Sequence, residues 1–451
     1  MSVAMTKLIV NRLVDWGACM RSLVQTHWQQ SAPIMAETRN VVVLGASYSG
    51  LSAAHYFMKH VLPNLPKDAK YHVYLVNPSK QWYVRPAAPR AVASFALMPT
   101  NKLFLPIEPG FKQYGDKFTF IHGMVTGIDT AGRKLTFRRG SKAEGEQETL
   151  PYYTLIIATG TRTRSPMLSS HNCDESETKA ALEAMHEKLK TARSIIVAGG
   201  GPAGVETAGE VGEFINGKPG FFAKRPANPK AKITIISGSD KLLPMLRPAL
   251  AKQAEQYLLR VGVDVLHGCK LASTSETAEG QTKIVLDNGK EMDCDIFIPA
   301  MGVTPNTEWL PKELLTEKGY VKMNNSTLRV DAAGPRVYAV GDVGSYTRGG
   351  IMDIFDAVPV LLSNVQRDML AAAKDDAAKP TGGDRPYKPN LKETQLVPIG
   401  QSKGVGAMFG YRLPSTMVWA IKGRDYMVGM GSQFVDGTRW NKESKWGPTD
   451  G

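Results

Sequence analysis

The chain of 451 residues contains few cysteines, and none lies near another in sequence. The four are Cys19, Cys173, Cys269 and Cys294. No pair has the C-x-x-C spacing of a redox dithiol or the ligand spacing of a zinc site. The sequence therefore excludes chemistry that depends on two neighbouring thiols and predicts no metal site. The simplest role for each cysteine is that of a small buried residue.

Long apolar runs and blocks of basic residues are also missing. No stretch approaches the 18 consecutive apolar residues of a membrane-spanning helix, and no C-terminal prenylation box or N-terminal Met-Gly is present. The net charge of +13 is spread along the chain without an aromatic-interleaved basic array. This distribution of charge argues against nucleic acid as a partner. The charge suits bound phosphates, an anionic membrane or simply a solvated surface.

Two glycine-rich turns are present, and each follows an apolar run and precedes a predicted helix. The first contains Gly45, Ser47 and Gly50, and the second contains Gly199, Gly201 and Gly204. In a G-x-G-x-x-G turn the missing side chains let the backbone approach a pyrophosphate, which the N–H groups of the next helix bind. The second turn matches fully, whereas Ser47 replaces the middle glycine of the first. Although one such turn is also common in ordinary β-α units, two in one chain indicate two dinucleotide cofactors.

Three further apolar segments end at glycine. Residues 153–160 end at Gly160, residues 296–302 end at Gly302, and residues 336–342 end at Gly341-Asp342. A carboxylate at the tip of the third strand could accept hydrogen bonds from the polyol chain of a flavin. The first two segments flank the second glycine-rich turn, so the chain leaves one nucleotide domain and later returns to it.

This order of motifs resembles that of the pyridine-nucleotide-dependent flavoprotein reductases with two dinucleotide-binding domains. Within that group it is similar to the relatives of apoptosis-inducing factor, in particular the mitochondria-associated, ferroptosis-suppressor-like branch. Residues 241–244, 258–263, 387–389 and 404–406 support the narrower match. The resemblance covers residues 38 to 435. It implies bound FAD, oxidation of NADH or NADPH, and a small-molecule acceptor of the quinone type. Without a cysteine pair, electrons are expected to pass directly from flavin to acceptor.

The predicted fold is α/β, with two Rossmann-like dinucleotide-binding domains, one inserted in the other, and a small C-terminal α+β segment. The FAD-binding domain comprises residues 38–160 and 300–384, the NAD(P)-binding domain residues 161–299, and the C-terminal interface segment residues 385–451. Residues 1–37 form an N-terminal extension whose amphipathic pattern suits a mitochondrial targeting segment or a membrane-surface helix. A start at Met35 is the alternative explanation. The expected location is mitochondrial or cytoplasmic, with membrane association and without a membrane span.

The candidate FAD-binding residues are Gly45, Ser47, Gly50, Asn77, Arg85, Gly160, Gly341 and Asp342. Asn77 ends the second predicted strand, where many such domains carry an acid that binds the adenosine ribose. An amide can bond the same hydroxyls without charge assistance. Arg85 is either a flavin or pyrophosphate contact or a surface cation. The resemblance also places a lysine soon after Ala-Thr-Gly, but residues 161–166 contain only arginines as cations.

The candidate NAD(P)-binding residues are Gly199, Gly201, Gly204, Glu206, Ser237 and Gly302. Ser237 ends the second strand of this domain, and the lack of a carboxylate there leaves the choice between NADH and NADPH open. The resemblance places a glutamate beside the nicotinamide, which makes Glu206 the candidate catalytic residue. A carboxylate in the first helical turn also stabilises the helix, which is its alternative role.

A mixture of apolar residues and cations occupies residues 407–430. This pattern suits either an apolar docking surface, for example for peripheral membrane contact, or the core of a small C-terminal unit. The function expected from the resemblance is that of a FAD-dependent NAD(P)H:quinone-type oxidoreductase. The alternatives are a redox-sensing binding protein like apoptosis-inducing factor and a reductase of an iron–sulfur protein or of a specialised metabolite.

Overall fold

The computed structural model describes residues 38–141, 145–171, 174–218, 220, 223–347, 349–378 and 380–447. The predicted N-terminal extension, residues 1–37, lies outside the described residues. One compact unit contains residues 39–66 and 71–451. The sheets and the cavity described below belong to this unit, except for Thr38 and Lys70, the first residues of the first two strands.

Strands are the commonest elements. In chain order they are β1 (Thr38–Leu44), β2 (Lys70–Asn77), β3 (Gln81–Tyr83), β4 (Phe104–Pro106), β5 (Phe118–Asp129), β6 (Lys134–Arg139), β7 (Gln147–Pro151), β8 (Thr154–Ile157), β9 (Thr161–Arg162), β10 (Ser194–Ala198), β11 (Lys232–Ile236), β12 (Val263–Leu266), β13 (Leu271–Glu276), β14 (Thr282–Leu286), β15 (Glu291–Cys294), β16 (Ile296–Pro299), β17 (Thr304–Pro305), β18 (Val337–Ala339), β19 (Gln395–Ile399), β20 (Lys403–Met408) and β21 (Tyr411–Arg412).

The α-helices connect these strands. They are α1 (Tyr48–Tyr56), α2 (Ala88–Ala93), α3 (Thr100–Leu103), α4 (Glu175–Leu189), α5 (Pro202–Asn216), α6 (Pro248–Arg260), α7 (Ile351–Lys374), α8 (Ser415–Val418) and α9 (Gly431–Val435).

The first glycine-rich turn lies at the end of β1 in a seven-stranded sheet of order β18-β8-β1-β2-β5-β6-β7. β1 pairs in parallel with β8, which pairs in parallel with β18. The last four residues of β1 and all of β8 are buried. Continuous burial is what a parallel strand covered on both faces requires, and the apolar runs of these segments supply it. The sheet thus combines strands from before and after the second glycine-rich turn.

The second turn follows β10 in a parallel sheet of order β12-β11-β10-β16. An antiparallel sheet, β13-β14-β15, packs beside it. The chain therefore builds one α/β unit within the span of another, which confirms the predicted fold class. The boundaries at residues 161 and 299 remain predictions.

The C-terminal segment forms a small antiparallel sheet, β19-β20-β21, with α8 and the short helix Trp419–Gly423 packed against it. β19 also contacts α5, the helix after the second glycine-rich turn. This mixture of strands and helices is the expected α+β segment, and its contact with α5 brings it to the site described next.

Candidate functional site

The two glycine-rich turns have the same backbone construction. Gly45 and Gly199 both have a positive φ, +95° and +133°. A Cβ on Gly45 would lie 2.5 Å from the Ala158 carbonyl oxygen, and one on Gly199 would lie 2.4 Å from that of Ala300. Both the conformation and the close approach of the neighbouring strand therefore require glycine.

The last glycine of each turn lets the following helix pack onto the turn. A Cβ on Gly50 would lie 1.7 Å from the Gly45 carbonyl oxygen, and one on Gly204 would lie 1.9 Å from that of Gly199. No side chain fits in either gap. These glycines consequently let α1 and α5 begin in direct contact with the turns that precede them.

The middle position of each turn faces open space. Ser47 and Gly201 are the N-cap residues of α1 and α5, and neither helix has a side-chain hydrogen bond at its cap. A Cβ on Gly201 would meet no atom within 4 Å. The free helical N–H groups and this uncrowded approach suit a pyrophosphate. The residues present therefore fit two dinucleotides.

A cavity of about 1570 Å³ joins the first turn to the start of α5. This volume exceeds that of ordinary small-ligand pockets and leaves room for a large cofactor together with a second ligand. The predicted site residues that line it are Gly45, Ser47, Asn77, Arg85, Gly160, Asp342 and Glu206. The other predicted residues, Gly50, Gly199, Gly201, Gly204, Ser237, Gly302 and Gly341, lie off its wall.

Asn77 and Ser237 are tied into the turns that follow their strands. The Ala46 N–H donates to Asn77 Oδ1 at 2.9 Å, and Asn77 Nδ2 donates to the Ser79 carbonyl at 2.7 Å. Ser237 Oγ donates to the Ser239 carbonyl at 3.1 Å, and the residue is buried. Both side chains shape the loops beside the glycine-rich turns. Only Asn77 also reaches the cavity.

Arg85 and Asp342 are charged residues of the cavity wall. Arg85 Nη1 donates to the Thr161 carbonyl at 2.9 Å, which holds the guanidinium next to Gly160. Asp342 Oδ1 accepts a 3.3 Å hydrogen bond from the Gly350 N–H. Arg85 is thus a cavity residue rather than an isolated surface cation. Gly341 supports Asp342 by packing, because a Cβ there would lie 2.0 Å from Ser49 Oγ.

The arginine that follows Ala-Thr-Gly is already paired. Arg162 lines the cavity, forms an ion pair with Glu308 and donates to Asn306 Oδ1 at 2.9 Å. Its charge is therefore balanced within the chain. Arg162 is therefore not a free cation at the point where the resemblance places a lysine.

Glu206 forms a buried ion pair with Lys422, which the sequence did not single out. Glu206 is 3% exposed, and Lys422 Nζ donates to its Oε1 at 2.5 Å and to the Leu396 carbonyl at 3.1 Å. Burial raises the pKa of Glu206 to about 7, and the Lys422 charge opposes that rise. Both residues line the cavity. A carboxyl with a pKa near neutrality beside an ammonium can hold or release a proton at physiological pH.

A second buried ion pair supports the same helix. Arg90 Nη2 contacts Glu210 Oε1 at 2.8 Å and donates to the Gly423 carbonyl at 2.8 Å. The Tyr426 hydroxyl also donates to Glu210 Oε1, at 3.0 Å. Glu206 and Glu210 are four residues apart and lie on one face of α5. The C-terminal segment is thereby tied to α5 and to α2.

Exposed apolar side chains surround part of the cavity. The cavity-lining members, with their exposed fractions, are Met245 (52%), Met352 (38%), Leu391 (65%), Phe409 (45%) and Ile421 (36%). We call these five the apolar rim. Tyr411, Met417 and Trp419 are also exposed, whereas Val418 is fully buried. Residues 407–430 therefore serve both as core and as surface, and clustered exposed apolar groups indicate a binding surface.

The described cysteines lie away from the cavity. Cys269 and Cys294 belong to a buried cluster between the second parallel sheet and β13–β15. Burial raises the pKa of the Cys294 thiol to about 11, which makes it a poor nucleophile. Cys19 and Cys173 lie outside the described residues. The described part of the chain contains no group of three side chains able to bind a metal. It also contains no helix with the length and hydropathy to cross a membrane.

Two α/β units, each with a glycine-rich turn suited to a pyrophosphate, are the features of a flavoprotein with two dinucleotide-binding domains. The chain belongs to the pyridine nucleotide-disulphide oxidoreductase family, whose model matches residues 39–359. It is therefore an oxidoreductase that uses FAD and NAD(P)H, which confirms the predicted cofactors.

Named relatives place it further within that family. It is 42% identical to the oxidoreductase phnG of Penicillium herquei over 92% of this chain and 100% of that protein. Ferroptosis suppressor protein 1 of Homo sapiens is 26% identical over 86% of this chain and 94% of its own length, which confirms the expected resemblance. The solved ferredoxin reductase of the CYP199A2 system from Rhodopseudomonas palustris has the same fold, with a TM-score of 0.59, 17% identity and 82% coverage of both chains.

Proposed function

We propose that this protein is a FAD-dependent NAD(P)H:quinone-type oxidoreductase that needs no redox dithiol. The observation that carries the proposal is the single cavity in which the first glycine-rich turn, the Glu206–Lys422 pair and the apolar rim meet. The turn suits a flavin dinucleotide, the ion pair suits proton exchange, and the rim suits an apolar acceptor.

The chain's own residues have separable tasks in this reaction. The N-terminus of α1 would bind the flavin pyrophosphate, Asp342 would accept hydrogen bonds from the polyol chain, and Arg85 would lie near the ring or the pyrophosphate. The chemistry that FAD would supply when bound is two-electron transfer from the nicotinamide to the acceptor. We assign Gly199, Gly201 and Gly204 to the NAD(P)H pyrophosphate, with Ser237 and Gly302 flanking that site.

Reduction of a quinone to a hydroquinone by NAD(P)H consumes one hydride and one proton. The Glu206–Lys422 pair can hold that proton between Lys422 Nζ and Glu206 Oε1 and release it to a quinone oxygen. The pKa of Glu206 near 7 suits such a transfer at neutral pH. In this proposal, Glu206 lies beside the nicotinamide, and the C-terminal segment closes the cavity around the reacting groups.

The proposal is tested by turnover with a panel of acceptors. Purified flavin-loaded protein is given NADH or NADPH with soluble quinones of increasing apolarity, ferricyanide, or a small iron–sulfur protein. We expect hydroquinone formation at rates well above those with the protein carrier. Rapid turnover only with the iron–sulfur protein would overturn the proposal. Slow turnover with every acceptor would instead favour a redox-sensing role.

Variants of the apolar rim locate the acceptor. Phe409→Ser and Leu391→Ser should raise KM for apolar quinones and leave ferricyanide reduction unchanged, because ferricyanide is charged and does not gain from apolar contact. Tyr411→Ser is the matched control, since this side chain is 75% exposed and does not line the cavity. An equal effect of the control would place the acceptor elsewhere.

We also propose peripheral membrane contact through the apolar rim together with Tyr411, Met417 and Trp419. Exposed aromatic and apolar side chains beside cations are suited to an anionic membrane surface. Flotation of the protein with vesicles of anionic or of neutral phospholipid tests this contact, and we expect more protein in the floating fraction with anionic vesicles. The same amount of protein in that fraction with and without vesicles would contradict the contact. A mitochondrial location is tested by a fluorescent fusion of the full chain compared with one that begins at Met35.

A further inference from the structure

The end of β11 is the part of the second unit that would contact the adenosine ribose of NAD(P)H. In a dinucleotide-binding domain, a carboxylate at this position accepts hydrogen bonds from the 2′-hydroxyl and repels a 2′-phosphate. Here the residue is Ser237, and its hydroxyl already bonds the Ser239 carbonyl. This strand end therefore offers no negative charge against a phosphate.

The loop after β11 folds back onto the glycine-rich turn. The Leu243 N–H donates to the Gly200 carbonyl at 2.7 Å. A Cβ on Gly200 would lie 2.5 Å from Ser237 Oγ, so the two loops are in close contact. Residues 238 and 239, which are exposed, consequently lie beside the nucleotide-binding turn rather than on a remote surface.

A lysine from the next loop lies across this edge. The Lys270 side chain packs on Gly238, with its Cγ 3.0 Å and its Cε 3.6 Å from the position that a Cβ on Gly238 would occupy. The Cys269 N–H donates to the Ser237 carbonyl at 3.1 Å, which fixes the base of the lysine next to the end of β11. Glycine at 238 thus makes room for the lysine stem, and Lys270 remains exposed at the edge.

We propose that Lys270, with the hydroxyl of Ser239, makes this protein select NADPH over NADH by binding the 2′-phosphate. A phosphate monoester gains from a cation and a hydroxyl donor, and it finds no carboxylate at the strand end. Asp240 is an exposed carboxylate in the same loop, but it lies three residues after Ser237, the residue that follows β11. The selection depends on the nucleotide-binding role of this unit and not on the identity of the acceptor.

Binding of nucleotide fragments tests the selection without turnover. Calorimetry on the flavin-loaded protein compares adenosine 2′,5′-bisphosphate with adenosine 5′-monophosphate, which differ only in the 2′-phosphate. We expect the bisphosphate to bind at least about ten-fold more tightly, as one charge-assisted contact would give. Lys270→Ala should remove most of that difference and leave the affinity for the monophosphate unchanged. Lys290→Ala, at an exposed turn of the same unit, is the matched control.

Three outcomes would overturn the inference. These are equal affinity for the two fragments, an equal loss of both affinities in Lys270→Ala, and a loss of monophosphate binding in Asp240→Asn, which would make Asp240 the ribose ligand of an NADH site. The ratio of kcat/KM for NADPH to that for NADH, measured with ferricyanide, should fall about ten-fold in Lys270→Ala. Because ferricyanide replaces the quinone, failure of the quinone proposal would leave this measurement valid.

Discussion

Two opposing effects set the pKa of the Glu206 carboxyl. Burial raises its pKa to about 7, and the Lys422 ammonium at 2.5 Å opposes the rise. Because this pair would supply the proton of hydroquinone formation, we expect the pH profile of kcat/KM for the quinone to show an inflection near 7 that disappears in Glu206→Gln. In Lys422→Met the inflection should move upward by about one to three pH units, because an opposing charge at this distance has been removed.

Lys403→Met is the control for this prediction, since Lys403 is an exposed cation of the same segment. Its profile should match that of the unmodified protein. An inflection that persists in Glu206→Gln would show that another group titrates. Flavin content measured by absorbance separates a change in titration from loss of the cofactor.

His55 is a neutral buried base. It has no exposed surface, and its Nε2 donates to the Val435 carbonyl at 2.7 Å. In the neutral ring, Nδ1 therefore accepts from the Tyr114 hydroxyl at 2.8 Å. Burial lowers its pKa to about 4. Between about pH 6.5 and 4, this histidine is protonated in the unfolded chain, where its pKa is near 6.5, but stays neutral in the folded chain. Folding stability should therefore be complete above about pH 6.5 and fall by up to about 3 kcal/mol as the pH drops toward 4.

Urea unfolding at about pH 7.5 and about pH 5 measures this effect. The midpoint of the unmodified protein should fall more between the two pH values than that of His55→Gln, whatever the stability of the variant at neutral pH. The same pH dependence in His55→Gln and the unmodified protein would show that carboxyl groups alone cause it.

Within the second glycine-rich turn, Gly201 and Gly204 are required for opposite reasons. A methyl at Gly204 would lie 1.9 Å from a carbonyl oxygen, whereas a methyl at Gly201 would meet nothing within 4 Å. Gly204→Ala should therefore lower the free energy of unfolding by about 1–3 kcal/mol or more. Gly201→Ala should fold normally but raise the Kd for NADPH about ten-fold, because the methyl occupies the space in front of the helical N–H groups.

Thermal melting and nucleotide titration of the two variants check this pair of expectations. The reverse order, with Gly201→Ala unstable and Gly204→Ala weak in binding, would contradict the assignment of the two positions. Ser47→Gly provides a comparison at the equivalent position of α1. It should keep both stability and FAD content, since Ser47 makes no cap hydrogen bond.

The strands and turns of the nucleotide-binding units could be predicted because their signals are local. Residues 41–44 form a continuous apolar run that ends at a glycine with a positive φ, and residues 195–199 repeat the pattern. Lys422 could not be predicted as the partner of Glu206. The two are 216 residues apart, and only the packing of the C-terminal sheet against α5 brings them together. The apolar character of residues 407–430 was visible, but not which side chains face the cavity.

The side chains of Asn77 and Ser237 show a different limit of sequence reasoning. Each occupies the position expected for a ribose ligand, but each has hydrogen bonds within its own loop. Loop hydrogen bonds depend on local backbone geometry that residue type alone does not specify. The apolar runs indicated where each strand ends, and the assignment of Asn77 and Ser237 to a ribose stays a prediction. The hydrogen bonds that these side chains form depend on how each loop folds.

Three separate parts of the chain are joined by one buried ion pair. Arg90 from α2 and Glu210 from α5 are 5% and 1% exposed, and Arg90 also bonds the carbonyls of Gly423 and Arg424 in the C-terminal segment. Removal of one partner leaves the other charge buried without compensation. We expect Arg90→Met to lower the free energy of unfolding by about 3–5 kcal/mol.

The double variant Arg90→Met with Glu210→Leu distinguishes the cost of an unpaired charge from the loss of the contact itself. It should recover much of the stability that Arg90→Met loses, since apolar residues of similar size often replace a buried pair at little cost. Urea unfolding of the four proteins in the cycle gives the coupling energy. If the losses simply add, the two side chains do not act as a pair. If the double variant instead regains stability but reduces quinones more slowly than the unmodified protein, the ion pair positions α5, and with it Glu206, against the C-terminal segment.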